Sequence, residues 1–466
     1  MPLHRQAVPG RAAALREWVL ASLYPAADRP AEHGSVASTD PPRLGPLHRL
    51  WVRYLLAFIG LTTVLLLRVP GALRTPFAED GSEFLHGVAA RGCSAWATPY
   101  AGYLHLAPRT IACVASFGPF TRGAEVMALG AAMLEALVLL AVFRAAGGHL
   151  PGWGRRAVLV ALWAGSPLIA GEIVDVSADV QWILLPGVFW LLLWRDSWFG
   201  TVLGTALAFV AAASSALALL LLPLAVIRLL VVRTWRDRLL PMAFGLGMAL
   251  QVIVILRTSR QPSMGKPDLI TLHNTWIYRV IVPGVFGPTR AGSVLAWHEE
   301  TVSDLLLVVL AVLVLAALLR RGSRTFVVVS IATACVVGSV TIVRAWSAGL
   351  AYLGTITNFT DGDRYLVTPV LLLAGPLLVA APRSLPELHR RREWPVTLAC
   401  TATAVVLAVG IGTDFRLGQQ SRNGTPSWAS QIDAARNSCA TGARFATMTT
   451  APKGWAYRWP CTDLPR

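Results

Sequence analysis

Apolar stretches long enough to cross a bilayer recur along most of this 466-residue chain, and that recurrence limits what it can fold into. Crossing the hydrocarbon core as a helix takes ~20 apolar residues. Runs of about that length begin near Leu50, Ala124, Ala157, Ala178, Trp198 and Ser215, then near Leu239, Val302, Thr325, Tyr365 and Pro395, with short polar breaks between them. Helices fit such runs and barrel strands do not. The expected fold is all-α, a polytopic helical membrane protein with about eleven transmembrane helices. With 55% hydrophobic and only 14% charged residues, the chain is too apolar for an ordinary soluble globule.

The runs from Trp198 and Ser215 form one stretch interrupted at Ala213, Ser214 and Ser215, too long for a single span, so a tight hairpin is expected there. The formal charge of +16 could point to nucleic acid, but the basic residues sit in short clusters between apolar runs and read as topology signals. Placing the N-terminus in the cytoplasm puts Arg144, Arg155, Arg156, Arg233, Arg236, Arg238, Arg320, Arg321 and Arg324 on one side. Glu79, Asp80, Glu83, Glu172, Asp175, Asp268, Glu299, Glu300, Asp361 and Asp363 then gather on the other. The expected organisation is a disordered cytoplasmic tail over 1–49, a transmembrane core over 50–412, and an extracytoplasmic tail over 413–466. Extracytoplasmic loops fall near 70–123, 257–301 and 344–364. No internal repeat stands out, which weakens a secondary-transporter reading. The six cysteines show no metal-ligand spacing, but Cys439 and Cys461 share the tail, where an outside location allows a disulfide.

The first outer loop is the most informative segment. It reads Phe77-Ala-Glu-Asp-Gly-Ser-Glu-Phe84 and then Pro99-Tyr-Ala-Gly-Tyr-Leu-His-Leu-Ala-Pro-Arg109. Adjacent carboxylates beside a glycine, close after the first span, suit a base whose pKa the membrane surface raises. Tyr103, His105 and Arg109 suit an interface and an anionic or sugar ligand. The plainer alternative makes Glu79, Asp80 and Glu83 helix caps and Tyr100 and Tyr103 part of an interfacial aromatic belt. Phosphate binding on this side would fall to Arg109, to Arg279 in Asn274-Thr-Trp-Ile-Tyr-Arg279, and to Arg364 in Asp361-Gly-Asp-Arg364. Arg364 could equally be the ion-pair partner of Asp361 or Asp363. Asp175, Asp179, Gln181 and Trp182 cluster where two spans reach the same surface, within reach of the first loop, with helix capping as the alternative role for the two aspartates. Glu135, near the middle of a span, should face the bundle.

The Glu79-Asp80 pair, its long first outer loop and the number of spans resemble the C-type superfamily of glycosyltransferases, in particular membrane proteins of actinobacterial type. The resemblance implies an inverting transfer from a polyprenyl-phosphate sugar to a cell-envelope glycan, lipid or protein acceptor on the extracytoplasmic face of the plasma membrane. It makes Asp80 the general base, with Glu79 orienting the acceptor or joining Asp80 on a divalent cation (Mg or Mn) that some relatives need. Arg109, Arg364 and Arg279 would hold the donor phosphate, and Tyr103, His105 and Asp175 the acceptor or sugar. The rival readings are a transporter or flippase of lipid-linked sugars and a non-catalytic membrane scaffold. No Walker loop, dinucleotide fingerprint, HExxH or GxSxG is present, and no nucleic-acid partner is expected.

Overall fold

The helix Gln181–Leu192 is buried at every position. A helix without a polar face belongs in the middle of a bundle, and Gly123–Ala145, Arg364–Ala380 and Trp198–Ala212 pack directly against it. Small residues permit the close approach: a Cβ added to Gly187 would stand 2.6 Å from Val138 Cγ1. The computed structural model describes residues 11–25, 45–169, 172–195, 198–258, 264–298, 301, 304, 308, 323–354, 362, 364–380, 408–416, 422 and 424–465.

Among the described residues, Leu50–Arg68, Phe120–Gly148, Trp235–Arg257 and Val327–Trp346 are long and apolar enough to cross a membrane. Leu106–Ala115, Ser177–Leu192, Gly200–Ala212, Ala216–Val231 and Arg364–Val379 are shorter apolar helices. Leu55, Leu56, Ile59 and Leu67 on the first long helix are exposed, as are Leu246, Leu250, Ile253 and Leu256 on the third. Apolar faces of that extent call for hydrocarbon as solvent, so the chain is a helical membrane protein.

Three departures from expectation have local causes. The run from Ala157 yields a helix of 13 residues, Trp153–Gly165, because Pro167 forces Ser166 out of the helical region to ψ 127°. Within the tail expected to be disordered, Arg11–Leu23 is helical; it is rich in alanine and leucine, it buries Ser22 and Leu23, and Arg16 Nε donates to the Val231 carbonyl at 2.8 Å. The loop after the first long helix contains an apolar helix of its own, Leu106–Ala115. The runs from Val302 and Pro395 lie outside the described residues except for positions 304 and 308 and the helical stretch 408–414. Glu299, Glu300, Arg320, Arg321, Asp361 and Asp363 also lie outside them.

The helix Trp198–Ala212 ends at the interruption seen in the sequence, and the chain resumes as a 3-10 turn and the helix Leu222–Val231. This break anchors the first loop. The first N–H groups of a helix lack partners within it. Leu106 N–H donates to the Ala213 carbonyl (3.2 Å) and Ala107 N–H to Ser214 Oγ (2.9 Å). Beside them Gln251, a buried amide on the helix Trp235–Arg257, accepts from Leu104 N–H (2.9 Å) and donates to the Leu104 carbonyl (2.8 Å).

The chain ends in a small module against the same loop. It contains the helix Trp428–Ala440 and an antiparallel hairpin, Phe445–Thr450 paired with Trp455–Pro460, with Phe445 opposite Pro460. Cys439 and Cys461 form a disulfide, Cα atoms 5.5 Å apart, and Cys93 and Cys113 form a second within the first loop. Buried Trp428 and Trp459 pack with Phe120, and Trp428 Nε1 donates to its carbonyl.

Replacing Gln251 with Leu strands a buried donor and a buried acceptor on Leu104, at a cost of about 1–3 kcal/mol for each. Thermal unfolding of the purified protein should show the loss, and proteolysis should speed up around residues 98–105; an unchanged melting temperature would contradict the anchoring role.

Candidate active site

The first loop leaves the bundle through backbone strain. Ala78 adopts φ 39°, a left-handed conformation that alanine rarely takes, and the next residues form a π-helix over Asp80–Leu85. Strained backbone and π-turns concentrate where side chains must be aimed. Here they turn Glu79 and Asp80 towards the junction before the helix Gln181–Leu192.

Asp80 is 1% exposed, and both of its carboxylate oxygens are occupied: Oδ1 accepts from Ala178 N–H at 2.8 Å and Oδ2 from Ser177 N–H at 3.0 Å. Burial pushes its pKa up to about 7, while the two N–H bonds and the Arg422 guanidinium pull the other way. Neither Glu79 nor Asp80 caps its own helix.

Glu79 is differently placed. Its Oε1 accepts from the Tyr100 hydroxyl at 3.4 Å; its Oε2 faces Arg364 Nη1 at 3.7 Å and accepts no hydrogen bond among the described residues. Asp179 Oδ2 flanks the same Arg364 nitrogen at 3.5 Å, and Asp179 Oδ1 accepts from Trp182 Nε1 at 3.1 Å. Glu172 accepts from the backbone N–H groups of Gly362 and Arg364, both at 3.4 Å. One guanidinium therefore sits among three acids, Glu172 and Asp179 from one stretch of the chain and Glu79 from another far from it in sequence.

Aromatic rings line the loop side. Tyr103 stacks on His105 with centroids 4.1 Å apart, Tyr100 and Phe84 lean on the same imidazole, and Gln181 Nε2 donates to the Tyr103 hydroxyl at 3.3 Å. Burial lowers His105 to about 3, so its ring is neutral around pH 7. His105 Nδ1 donates to the Tyr103 carbonyl at 3.3 Å. Burial likewise raises both tyrosine hydroxyls, which stay protonated.

The structure thus brings together Glu79, Asp80, Tyr103, His105 and Arg364. Arg109 lies behind them, over the Phe84 ring, with Nη1 donating to the Glu83 carbonyl at 3.2 Å. Arg279 is fully buried on a π-helix, Trp276–Ile281, with its guanidinium carbon 6.0 Å from the Tyr352 ring centre. Asp175, at φ 62°, belongs to a second buried group with Arg68, Glu135 and Arg422. Burial raises Asp175 to about 7 against the pull of Arg422 and Arg68. Glu135 does face the bundle, towards the backbone N–H of Asp175. Sequence reasoning assigned no role to Glu172, Gln251 or Arg422; only Gln251 carried a signal, as a lone amide in an apolar run.

The donor set does not fit a divalent cation. Both Asp80 oxygens are held by backbone N–H groups, Glu79 faces a guanidinium, and among the described residues no three His, Cys, Asp or Glu side chains are placed to hold a metal ion. Arg364 supplies the positive charge at this place.

No family model matches the chain, and no curated protein does. A solved structure, the single-particle cryo-EM structure of arabinofuranosyltransferase AftD from mycobacteria, aligns with a TM-score of 0.43 and 13% identity. The alignment covers 85% of this chain and 29% of that one, so the chain spans less than a third of that protein's length. Likeness at this level bears on neither the reaction nor the residues that carry it.

The raised pKa of Asp80 gives a signed expectation. A carboxyl whose folded value lies above its ordinary one of about 3.9 contributes its full stability below that value and loses it as pH rises through about 7. The stability of wild type relative to Asp80→Asn should therefore fall between pH 4 and pH 8 in thermal unfolding; a difference independent of pH would contradict the burial assigned to Asp80.

Proposed function

We propose that the chain is a membrane glycosyltransferase of the C type, transferring a sugar from a polyprenyl-phosphate donor to an envelope glycan, lipid or protein acceptor with inversion at the anomeric carbon. The site would face the extracytoplasmic side of the plasma membrane, with the N-terminus in the cytoplasm and the C-terminal module outside. One observation carries the reading. In the loop that follows the first long apolar helix, Glu79 Oε2, a carboxylate oxygen that accepts no hydrogen bond among the described residues, stands against the half-buried guanidinium of Arg364.

The base in this proposal is Glu79, and Asp80 holds the loop, because a carboxylate with both oxygens engaged by backbone N–H groups is poorly placed to accept a third proton donor. Glu79 takes the acceptor's hydroxyl proton as that oxygen attacks the anomeric carbon. The bond from this carbon to the phosphate oxygen breaks, and the electron pair leaves with polyprenyl phosphate. Protonation of Glu79 removes one of the carboxylates compensating Arg364, so guanidinium charge becomes available as the departing phosphate gains its own. Arg109 and Arg279 would add positive potential further out. Tyr103 and His105 would offer a ring face to the sugar or acceptor, and Asp175 passes from sugar contact to support of the loop.

Transfer of labelled sugar from a panel of polyprenyl-phosphate donors in membranes tests this. Glu79→Gln should lower transfer by roughly 10²–10⁴, and Arg364→Lys should lower it too, since an ammonium cannot reproduce the fork. Asp80→Asn, which keeps one acceptor oxygen, should retain more activity than Glu79→Gln. Equal transfer by wild type and Glu79→Gln, at matched expression, would sink the assignment.

A further inference from the structure

We propose that the C-terminal module completes the reacting centre, and that Arg422 is the positioning residue through which it aims the Glu79-Asp80 turn. For its kinetic arm the inference rests on the glycosyltransferase reading; its geometric arm does not.

Arg422 lies ahead of the module's helix in the sequence and is buried. Its Nη2 donates to the Asp175 carbonyl at 3.2 Å, and its guanidinium carbon lies 5.6 Å from the centre of the Phe77 ring, two residues before Glu79. A Cβ on Gly71, where φ is +87°, would come within 3.4 Å of Arg422 Cβ. One side chain thus touches the incoming strand of the first loop and the turn that presents Ser177 and Ala178 to Asp80.

A guanidinium removed from water needs compensating carboxylates, and buried carboxylates need cations or donors. The Asp175 carboxyl accepts no hydrogen bond among the described residues, so its compensation comes through space, from Arg422 first and Arg68 second. Asp80 faces Arg422, the N–H groups of Ser177 and Ala178, and the like charges of Glu79 and Asp179. Glu135 faces Asp175, Arg68 and Arg422. Arg422 is the cation common to all three acids.

The rest of the module grips the same turn from the other side. Ala78 N–H donates to the Ala451 carbonyl (2.5 Å), and Ala451 N–H donates to the Pro76 carbonyl (3.0 Å). A Cβ on Gly81 would meet Thr450 Cγ2 and would lie 3.1 Å from the Tyr457 hydroxyl. Residues on both flanks of Glu79 and Asp80 are therefore held by the hairpin.

The experiment compares full-length wild type, Arg422→Met and Arg422→Lys in lipid nanodiscs, with folding checked by thermal unfolding. Arg422→Met should lower kcat by about 10- to 10²-fold through misaiming while donor KM stays within about twofold, because the loss falls on positioning rather than binding. The acid limb of its kcat profile should also move to higher pH, since only the charged form of Asp80 accepts both N–H groups that keep Glu79 aimed and Asp80 loses the cation that favours that form, and Arg422→Lys should move the limb back. A purely structural role would lower activity without moving the limb. Wild-type kcat and an unmoved limb in a folded Arg422→Met would overturn the inference while leaving the function intact. If wild type transfers no sugar, the functional reading fails and hydrogen exchange judges the inference. Peptides covering residues 74–83 and 175–179 should exchange faster in Arg422→Met than in wild type, with residues 123–145 unchanged; equal exchange would overturn it. Should Arg422→Met fail to fold, exchange in wild type decides. Corrected for chemical rate, protection at Ser177 and Ala178 should strengthen as pH falls below about 7, because the closed turn holds a proton on Asp80 more tightly than the opened one, and constant protection would overturn the coupling.

Discussion

Two backbone N–H groups, on Ser177 and Ala178, hold the Asp80 carboxylate, and the arrangement of the site depends on that pair of bonds. They join the loop after the first long helix to the turn that starts the central helix Gln181–Leu192. Ser177 extends the tie to a third element by donating to the Met127 carbonyl at 2.8 Å. Once Asp80 is fixed, Glu79 has little freedom, because Ala78 is held in a left-handed conformation by its pairing with Ala451. A buried carboxylate is costly unless its oxygens are satisfied, so the same bonds that aim Glu79 also make the burial of Asp80 tolerable.

Charge is balanced in two neighbouring groups. In one, Arg364 stands among Glu79, Asp179 and Glu172; in the other, Arg68 and Arg422 stand among Asp80, Asp175 and Glu135. The first group opens to the loop's aromatic rings, and the second lies within the packed interior. The division suits a reaction in which one carboxylate changes protonation while its neighbours keep the loop still. The cost of breaking the second group is mechanical, felt at Glu79 through the backbone.

The helical membrane character was legible because bilayer thickness sets a length that the sequence must meet again and again, and four helices among the described residues meet it. The interruption at Ala213–Ser215 was legible for the same reason. The shortened helix before Ser166 was not, since the run of apolar residues continues through Pro167 and hides the stop. In the first loop, the density of acids, tyrosines, histidine and arginine marked a segment that the fold gathers beside Arg364. Which acid is free could not be read there, because the donors that occupy Asp80 come from positions 97 and 98 residues later. Arg422 and the Cys93–Cys113 bond escaped for the same reason, since their meaning lies in partners that the fold alone brings close. Gln251 is the instructive omission: one amide in a long apolar helix signals a buried polar partner, here the Leu104 backbone.

The central claim is that Glu79 and Arg364 face the reacting bond. The most direct test is a structure of the protein bound to a polyprenyl phosphonate analogue of the sugar donor, whose carbon bridge cannot be cleaved. The anomeric carbon should lie beside Glu79 Oε2, with the phosphonate oxygens within hydrogen-bond reach of Arg364 and the Asp80 bonds to Ser177 and Ala178 unchanged. A donor whose phosphonate is held elsewhere, with Glu79 and Arg364 still paired and remote from the sugar, would contradict it.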